Sequence, residues 1–409
     1  MSKIKGVRLE MKKRTVSFSP PDITEAEIAE VAEAMRSGWI TTGPRTKQLE
    51  RYIADFCHTP KAVCLNSATA AMELTLRLLG VGAGDEVITC AYTYTASASV
   101  IHHVGAKIVL VDCNKEDKFM DLDALENAIT EKTKVIIPVD LAGKPCKYDE
   151  IFEIVERKKS LFKPNNKLQE KIGRVIVMAD AAHSLGAVYK GKSSGSIADF
   201  TCFSFHAVKN FTVAEGGSVT WNRNLGLNDD EVYREFQLLS LHGQSKDALS
   251  KTKLGSWEYD IVAPNYKCNL TDIASGIGLA QLKRYPSLLK RRFEIVERYN
   301  KGFEGTRIKP FIHFEEDRKS CCHLYIVNIE GASEEDRNEI IVKMAERGIA
   351  TNVHYKPLPM HTAYKNLGFD IKDYPNAFDN YKSEITLPLH TLLTDEQVDY
   401  IIENLKALV

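Results

Sequence analysis

Hydrophobic positions along the chain follow two rhythms, and the change between them falls at Asn222. Between Ala62 and Asn222, short apolar runs recur: KAVCLN, DEVITCAYTY, AKIVLVDCN, KVIIPVDLAG, RVIVMAD, DFTCFSF and GGSVTW. They are rich in β-branched residues and largely continuous rather than alternating, which predicts strands covered on both faces. Helical patterns fill several of the gaps, over residues 68–79, 121–130 and 147–159. Alternation of this kind predicts an α/β layer around a mostly parallel sheet.

After Asn222 a long helical stretch, residues 270–303, carries apolar residues at mixed three and four spacing (Ile273, Ile277, Leu279 and Leu282). It is expected to bridge to a second domain. That domain holds a strand (HLYIVNIEG), a helix opened by Ser333, and a closing helix for which Thr394 and Gln397 form a capping box. Adjacent Cys321 and Cys322 head the apolar run and read as strand residues. The expected organisation is a large α/β domain over residues 1–265, N-terminal arm included, and a smaller α+β domain over 270–409. Residues 140–174 are too many for one helix and its links, so an insertion in a surface loop is expected near 162–173.

Charge narrows the class. Lys and Arg total 54 against 55 Asp and Glu, a net charge of -1. A nucleic-acid binder would show a basic excess or stripe. The one basic stretch, residues 157–171, is centred on Pro-Asn-Asn and reads as a solvated loop. No apolar run approaches the roughly 20 residues that span a bilayer. The N-terminus has basic residues without an apolar segment behind them. Nine cysteines, an odd number without a CxxC pair, predict reduced thiols, no metal site and a cytoplasmic location.

Three segments carry candidate chemistry. In CLNSATAAMELTLRLLG, Cys64 and Leu65 end a strand, Ser67 is a good N-cap and Gly80 a terminator. Small residues Ser67, Ala68, Thr69 and Ala70 leave the backbone N–H groups of a helix N-terminus open to a phosphate, although a plain strand-to-helix turn has the same pattern. In RVIVMADAAHSLGA, Asp180 closes a buried strand, where a carboxylate is costly without a cation or donors. That is also where α/β sheets bind ligands, with His183 three residues on; an N-cap role is the alternative for Asp180. In ADFTCFSFHAVKNFTVAEGGSVTW, Lys209 sits among aromatic and small residues. A lysine in apolar company can act as a nucleophilic amine, although most lysines are solvated surface charges. Ser204 could add a phosphate donor.

One cofactor fits all of these. Pyridoxal phosphate needs a phosphate cradle (Ser67 to Ala70, with Ser204), an acid opposite its pyridine nitrogen (Asp180), an aromatic face (Tyr94 of AYTYTAS) and a lysine (Lys209). A carboxylate on the pyridine nitrogen keeps it protonated and makes the ring a stronger electron sink.

On these residues the chain resembles the DegT-type sugar aminotransferases, fold type I pyridoxal phosphate enzymes that act on nucleotide-linked keto sugars. The resemblance runs from SGWITTGP at Ser37 to the closing helix. FSFHAVKNFTVAEGG is similar to the family's lysine motif, ADAAHSLGA to its Asp motif, and NLTDIASGIGLAQL to the segment after its subunit-crossing residues. Its SATA, SFHA-K-N and AEGG runs are most similar to the UDP-4-amino-4-deoxy-L-arabinose–oxoglutarate aminotransferase branch. The resemblance implies a three-layer α/β fold with a mostly parallel sheet, a smaller C-terminal α+β domain, pyridoxal 5′-phosphate as cofactor, and a homodimer.

Residue by residue, Lys209 matches the Schiff-base lysine, Asp180 the pyridine-nitrogen partner and Tyr94 the stacking aromatic. His183 stands near the cofactor's phenolic oxygen, where many members carry Gln. Ala68, Thr69 and Ser204 match the phosphate cradle. Lys267 and Asn269, flanking Cys268, align with the stretch that reaches the phosphate across the dimer. Thr42, Gly43, His354 and His361 fall where relatives line the sugar-nucleotide pocket. The implied reaction moves an amino group from L-glutamate to the keto carbon, C4, of a nucleotide sugar, releasing 2-oxoglutarate, for cell-envelope or polysaccharide amino-sugar synthesis. Relatives that deoxygenate sugars at C3 replace the lysine with histidine, so Lys209 argues against that chemistry. Amination of a cyclitol or a 3-keto sugar stays open, as does a non-catalytic regulatory protein that kept the fold.

Overall fold

The computed structural model describes residues 15–246 and 258–409. The continuous apolar runs become β1 (Ala62–Leu65), β2 (Glu86–Cys90), β3 (Lys107–Val111), β4 (Thr133–Ile137) and β5 (Ile176–Asp180), two short pieces β6 (Val188–Tyr189) and β7 (Lys192–Ser193), then β8 (Phe200–Ser204) and β9 (Gly217–Trp221). Seven of them form one sheet in the order β1-β9-β8-β5-β4-β2-β3. Only β9 runs against its neighbours; every other pair from β8 to β3 is parallel. Every residue of β1, β2, β4, β5 and β9 is buried, which is why these runs show no polar alternation.

Helices accompany the sheet: α1 (Glu25–Arg36), which packs on α9, then α2 (Pro44–Cys57), α3 (Ala68–Leu78), α4 (Ala96–His103), α5 (Leu122–Ala128), α6 (Tyr148–Arg157), α7 (Lys167–Ile172), α8 (Asp229–Ser240) and α9 (Asp272–Phe303) itself. The C-terminal part carries β10 (Ile308–Pro310), β11 (Arg318–Lys319), β12 (Tyr325–Ile329), α10 (Glu334–Glu346), α11 (Thr362–Asn366), α12 (Pro375–Lys382), β13 (Glu384–Leu387) and α13 (Asp395–Lys406). β10, β12 and β13 form an antiparallel three-stranded sheet. The expected caps are present: Thr394 with Gln397 on α13, Ser333 on α10 and Ser67 on α3.

Among the described residues there are two hydrophobic cores, joined by α9. Leu279, Tyr285 and Leu289, up to just past its middle, pack into the core around the large sheet. Ile295, Val296, Tyr299 and Phe303 of its second half pack into the core around β12 and β13. Val16 joins the second core through hydrogen bonds with Gly348 and Ala350. Among the described residues, no helix is long and apolar enough to cross a membrane.

Three local expectations are corrected. DEVITCAYTY is strand only to Cys90. Ala91 N–H donates to Val111, the last residue of β3, so Tyr92 to Thr95 have no neighbouring strand and turn into α4. Residues 162–173 lie at the surface as expected, with Lys163 to Asn165, Lys167, Glu170 and Lys171 exposed, but they form a docked clasp around α7 rather than a free loop. Phe162 and Gln169 are buried, and Asn166 caps α7. Asn166 Nδ2 and Gln169 Nε2 donate to the Leu79 carbonyl at 2.8 and 2.7 Å, satisfying an acceptor that the end of α3 leaves open. Cys321 and Cys322 precede β12 rather than belonging to it. Their segment crosses to the large domain, where Cys321 and His323 N–H donate to the Gly143 and Ala142 carbonyls. Burial without strand pairing produced the same apolar pattern.

Candidate active site

The parallel strands deliver their ends to one cavity of about 410 Å³. It opens beyond the carboxyl ends of β1, β2, β4, β5 and β8, the edge at which α/β sheets receive ligands. Ala68, Thr69, Tyr94 and Asp180 line it together with His183, Ser204, Lys209 and His354. Chain segments 286 residues apart therefore meet there.

One wall is the start of α3. Ser67 Oγ accepts from Ala70 N at 3.0 Å and Ser67 O from Ala71 N at 3.1 Å. The N–H groups of Ala68 and Thr69 have no protein acceptor among the described residues, as a helix start leaves them. Gly217 allows β9 to lie against this wall: a Cβ there would sit 2.4 Å from Ala68 N. Gly217→Ala is expected to destabilise the protein by about 1–3 kcal/mol, the usual cost of overpacking, and to weaken phosphate binding. Thermal melts with and without inorganic phosphate would read both effects.

Asp180, the last residue of β5, is 5% exposed. Ser97 Oγ donates to its Oδ2 at 2.6 Å and Ala182 N–H to its Oδ1 at 3.2 Å. Thr93 Oγ1 lies 2.9 Å from Ser97 Oγ. Burial pushes the Asp180 carboxyl up, while Ser97, Ala182 and the Lys209 charge hold it down. The Ser97 bond favours the ionised carboxylate, so its loss must raise the pKa. In Ser97→Ala the acid limb of the pH–activity profile should move to higher pH, with turnover there falling about tenfold for a lost hydrogen bond of ~1.5 kcal/mol to a charged group. An unmoved limb would separate Ser97 from Asp180 in function.

Lys209 lies in the turn between β8 and β9, where its N–H donates to His206 O at 2.9 Å. Buried Asn210 anchors this turn: its Nδ2 donates to Cys321 O at 2.8 Å, and its Oδ1 is 3.0 Å from His323 Nδ1. Burial lowers the Lys209 amine to about 8, against the opposing pull of Asp180. Roughly a tenth of the amine is therefore neutral at pH 7, against well under ~0.1% at the ordinary lysine value.

His183 is buried, with Nε2 3.1 Å from Tyr355 Oη and its ring centroid 4.3 Å from that of His323. Burial and the Lys209 charge hold its pKa well below the ordinary value, so the ring is neutral. Its Nδ1 is buried without a partner among the described residues. Tyr94 is 60% exposed, its ring centroid 6.0 Å from that of Tyr355. His354 stacks on Phe18 with centroids 5.7 Å apart, and its Nδ1 lies 2.9 Å from Thr386 Oγ1.

Five candidates do not line this cavity within their own chain: Thr42, Gly43, Lys267, Asn269 and His361. Gly43 is the N-cap of α2, where its N–H and those of Arg45 and Thr46 donate to the Asp272 carboxylate at 2.8–3.0 Å. Lys267 Nζ donates to Asn269 Oδ1, and Asn269 Nδ2 to Thr42 Oγ1, so these three form a cluster of their own. Exposed His361 precedes α11, its Nε2 3.3 Å from Lys356 O. Ser97, Thr93, Tyr355 and Asn210 escaped the sequence reading. Tyr355 and Asn210 directly follow singled-out residues, whereas Ser97 was hidden by the strand-like look of AYTYTAS.

Known proteins place the whole chain. The model of the DegT/DnrJ/EryC1/StrS aminotransferase family matches residues 21–406. SpsC of Bacillus subtilis, a spore coat polysaccharide biosynthesis protein, is 37% identical over 96% of this chain and 96% of its own. Among solved structures, Spr1654 of Streptococcus pneumoniae, assigned as a sugar aminotransferase and seen in its PLP-form, is 61% identical with TM-score 0.94 over 97% of this chain and 98% of its own. PseC of Helicobacter pylori, an aminotransferase involved in pseudoaminic acid biosynthesis, is 28% identical with TM-score 0.85 over 97% of this chain and 99% of its own. The extent of the family match, taken with these likenesses, means that the chain belongs to the DegT/DnrJ/EryC1/StrS aminotransferase family and is an aminotransferase.

Proposed function

We propose that the enzyme transfers an amino group from L-glutamate to the keto carbon, C4, of a nucleotide-linked keto sugar, with pyridoxal 5′-phosphate as cofactor. The observation that carries the cofactor chemistry is the convergence of Lys209, Asp180, Tyr94 and the open start of α3 on one cavity, while glutamate, the nucleotide-linked sugar and C4 follow from the resemblance of the sequence. The cavity's groups suit that cofactor. Unpaired N–H groups of Ala68 and Thr69, with Ser204, offer a phosphate seat that a Cβ at position 217 would crowd. Bound there, pyridoxal 5′-phosphate supplies an electron sink for the charge left when a proton departs from the amino-bearing carbon.

The chain's own groups supply the rest. Lys209 Nζ, about a tenth neutral at pH 7, would hold the cofactor and then move the proton at the donor's Cα. Asp180 would hold the proton on the ring nitrogen, Tyr94 would cover the ring face, and His183, whose buried Nδ1 has no partner among the described residues, would serve the phenolic oxygen. On this reading residues 1–265 serve as the cofactor domain and 270–409 as the domain that adds His354 to the sugar site, while exposed His361 stands outside this chain's own cavity.

The cluster of Thr42, Lys267 and Asn269, with neighbouring Gly43, supports a homodimer. It lies outside its own cavity and beside exposed apolar Ile40 and Tyr266. A two-fold interface would carry it over the partner's cavity, where Lys267 and Asn269 reach the phosphate and Thr42 and Gly43 the nucleotide. The names of SpsC, a spore coat polysaccharide biosynthesis protein, and of PseC, an aminotransferase of pseudoaminic acid biosynthesis, support a place in polysaccharide or cell-envelope amino-sugar synthesis. The test is the visible absorbance of purified protein with pyridoxal 5′-phosphate, followed on adding L-glutamate and then nucleotide-linked 4-keto sugars. Bleaching by glutamate and recovery with a 4-keto sugar are expected. Recovery only with a 3-keto sugar or a cyclitol ketone would overturn the C4 assignment, and protein that takes up no cofactor would overturn the enzyme reading.

A further inference from the structure

Glu384 is a buried acid that the proposed reaction leaves without a task. It opens β13 and, like Thr386, is fully buried, so bulk water does not compete for its partners. Its Oε2 accepts the backbone N–H of His354 at 2.9 Å, and its Oε1 lies 2.6 Å from Thr386 Oγ1. Thr386 Oγ1 is in turn 2.9 Å from His354 Nδ1. Glu384, Thr386 and His354 thus form one unbroken chain ending in a side chain that lines the cavity of Lys209.

We propose that Glu384, acting through the Thr386 hydroxyl, sets which ring nitrogen of His354 carries the proton, and so whether Nε2 offers the substrate an acceptor or a donor. This rests on the reading of the cavity as the keto-sugar site. Glu384 is a positioning residue, since it reaches the substrate only through His354.

The direction follows from proton counting along the chain. A hydroxyl has one proton to give. While Glu384 is ionised, both its oxygens only accept. Thr386 then donates to Oε1 and must accept from Nδ1–H, which leaves Nε2 an acceptor. When Glu384 is protonated, Oε2 still accepts the His354 backbone N–H, so the proton sits on Oε1. It is donated to Thr386, Thr386 donates to Nδ1, and the ring proton moves to Nε2. A keto oxygen, which can only accept, meets the protonated form; an ammonium group, which can only donate, meets the ionised one.

Both forms are within reach. Burial pushes the Glu384 carboxyl up to about 8. The charged groups facing it, Lys118 after β3 and Arg337 of α10, oppose that rise. The other titratable neighbours are Tyr92 and Tyr355, whose phenols burial holds protonated. Burial and the Lys209 charge hold the His354 ring at about 3, so it stays neutral while its tautomer changes.

The experiment is nitrogen NMR of the full-length, cofactor-loaded enzyme labelled with ¹⁵N-histidine. The His354 ring signals are assigned by their loss in His354→Gln. In the wild type, raising the pH through about 8 should move the proton from Nε2 to Nδ1. In Glu384→Gln, the His354 backbone N–H claims the amide oxygen, so the amide NH₂ faces Thr386 and the Nε2–H form should persist at every pH. Thr386→Ser should keep the response and Thr386→Val should lose it. A wild-type tautomer indifferent to pH, or one that changes alike in Glu384→Gln, overturns the proposal. These signals report the relay whether or not a keto sugar is turned over; an intact relay without turnover would count against the proposed function alone.

Discussion

Replacing Lys209 by alanine is expected to abolish turnover while leaving the protein folded. In the proposed reaction its amine would hold the cofactor and move the proton, and acid–base catalysis alone accounts for roughly 10²–10⁴-fold in rate. The fold should survive because Lys209 stands in a turn held by backbone hydrogen bonds and by Asn210, not by its own amine. Its pKa also predicts a signature in stability. Burial lowers the amine from 10.5 to about 8, so between those values the unfolded chain holds more proton than the native one. Stability of the cofactor-free wild type should then rise with pH across that window through this group. In Lys209→Ala that contribution disappears. Thermal melts across the window, with turnover and visible absorbance at neutral pH, check all three statements; turnover at the wild-type rate would remove Lys209 from the mechanism.

Asp180→Asn is expected to produce the second largest loss. Asparagine keeps the shape of the side chain and an oxygen for Ser97 or Ala182, but not the charge. Truncating one partner of a buried charged pair costs about 2–5 kcal/mol, or roughly 30- to several thousand-fold in rate. The loss should fall on turnover more than on glutamate KM, because in the proposed site Asp180 would act on the ring nitrogen rather than on the donor. Measuring kcat and KM separately for the glutamate half-reaction distinguishes the two. A variant with normal kcat and raised KM would make Asp180 a binding group only.

These expectations rest on residues that were legible one at a time. Lys209, Asp180, Ser204, Ala68 and Thr69 stood out because each falls just past a continuous apolar run, and they do line one cavity. Their immediate supports did not stand out. Ser97 lies 83 residues from Asp180, in a segment whose aromatic and β-branched composition imitates a strand. Glu384 and Thr386 occupy a run that reads as an ordinary buried strand. Nothing local marks either as a partner of His354.

By itself, the sequence determined the period of the elements, the caps of α3, α10 and α13, and the chemical types placed at the strand ends. These properties arise within a few residues, from backbone sterics, capping and the burial of apolar faces. Only the tertiary structure decided the rest: the strand order that sets β5 between β8 and β4, the docking of residues 162–173 on the end of α3, and the segregation of Thr42, Lys267 and Asn269 from their own chain's cavity. It also decided the chain of hydrogen bonds from Glu384 to His354. Each depends on which distant surfaces bury one another and on where the polar groups trapped between them find partners, and neither is written in any local stretch of the chain.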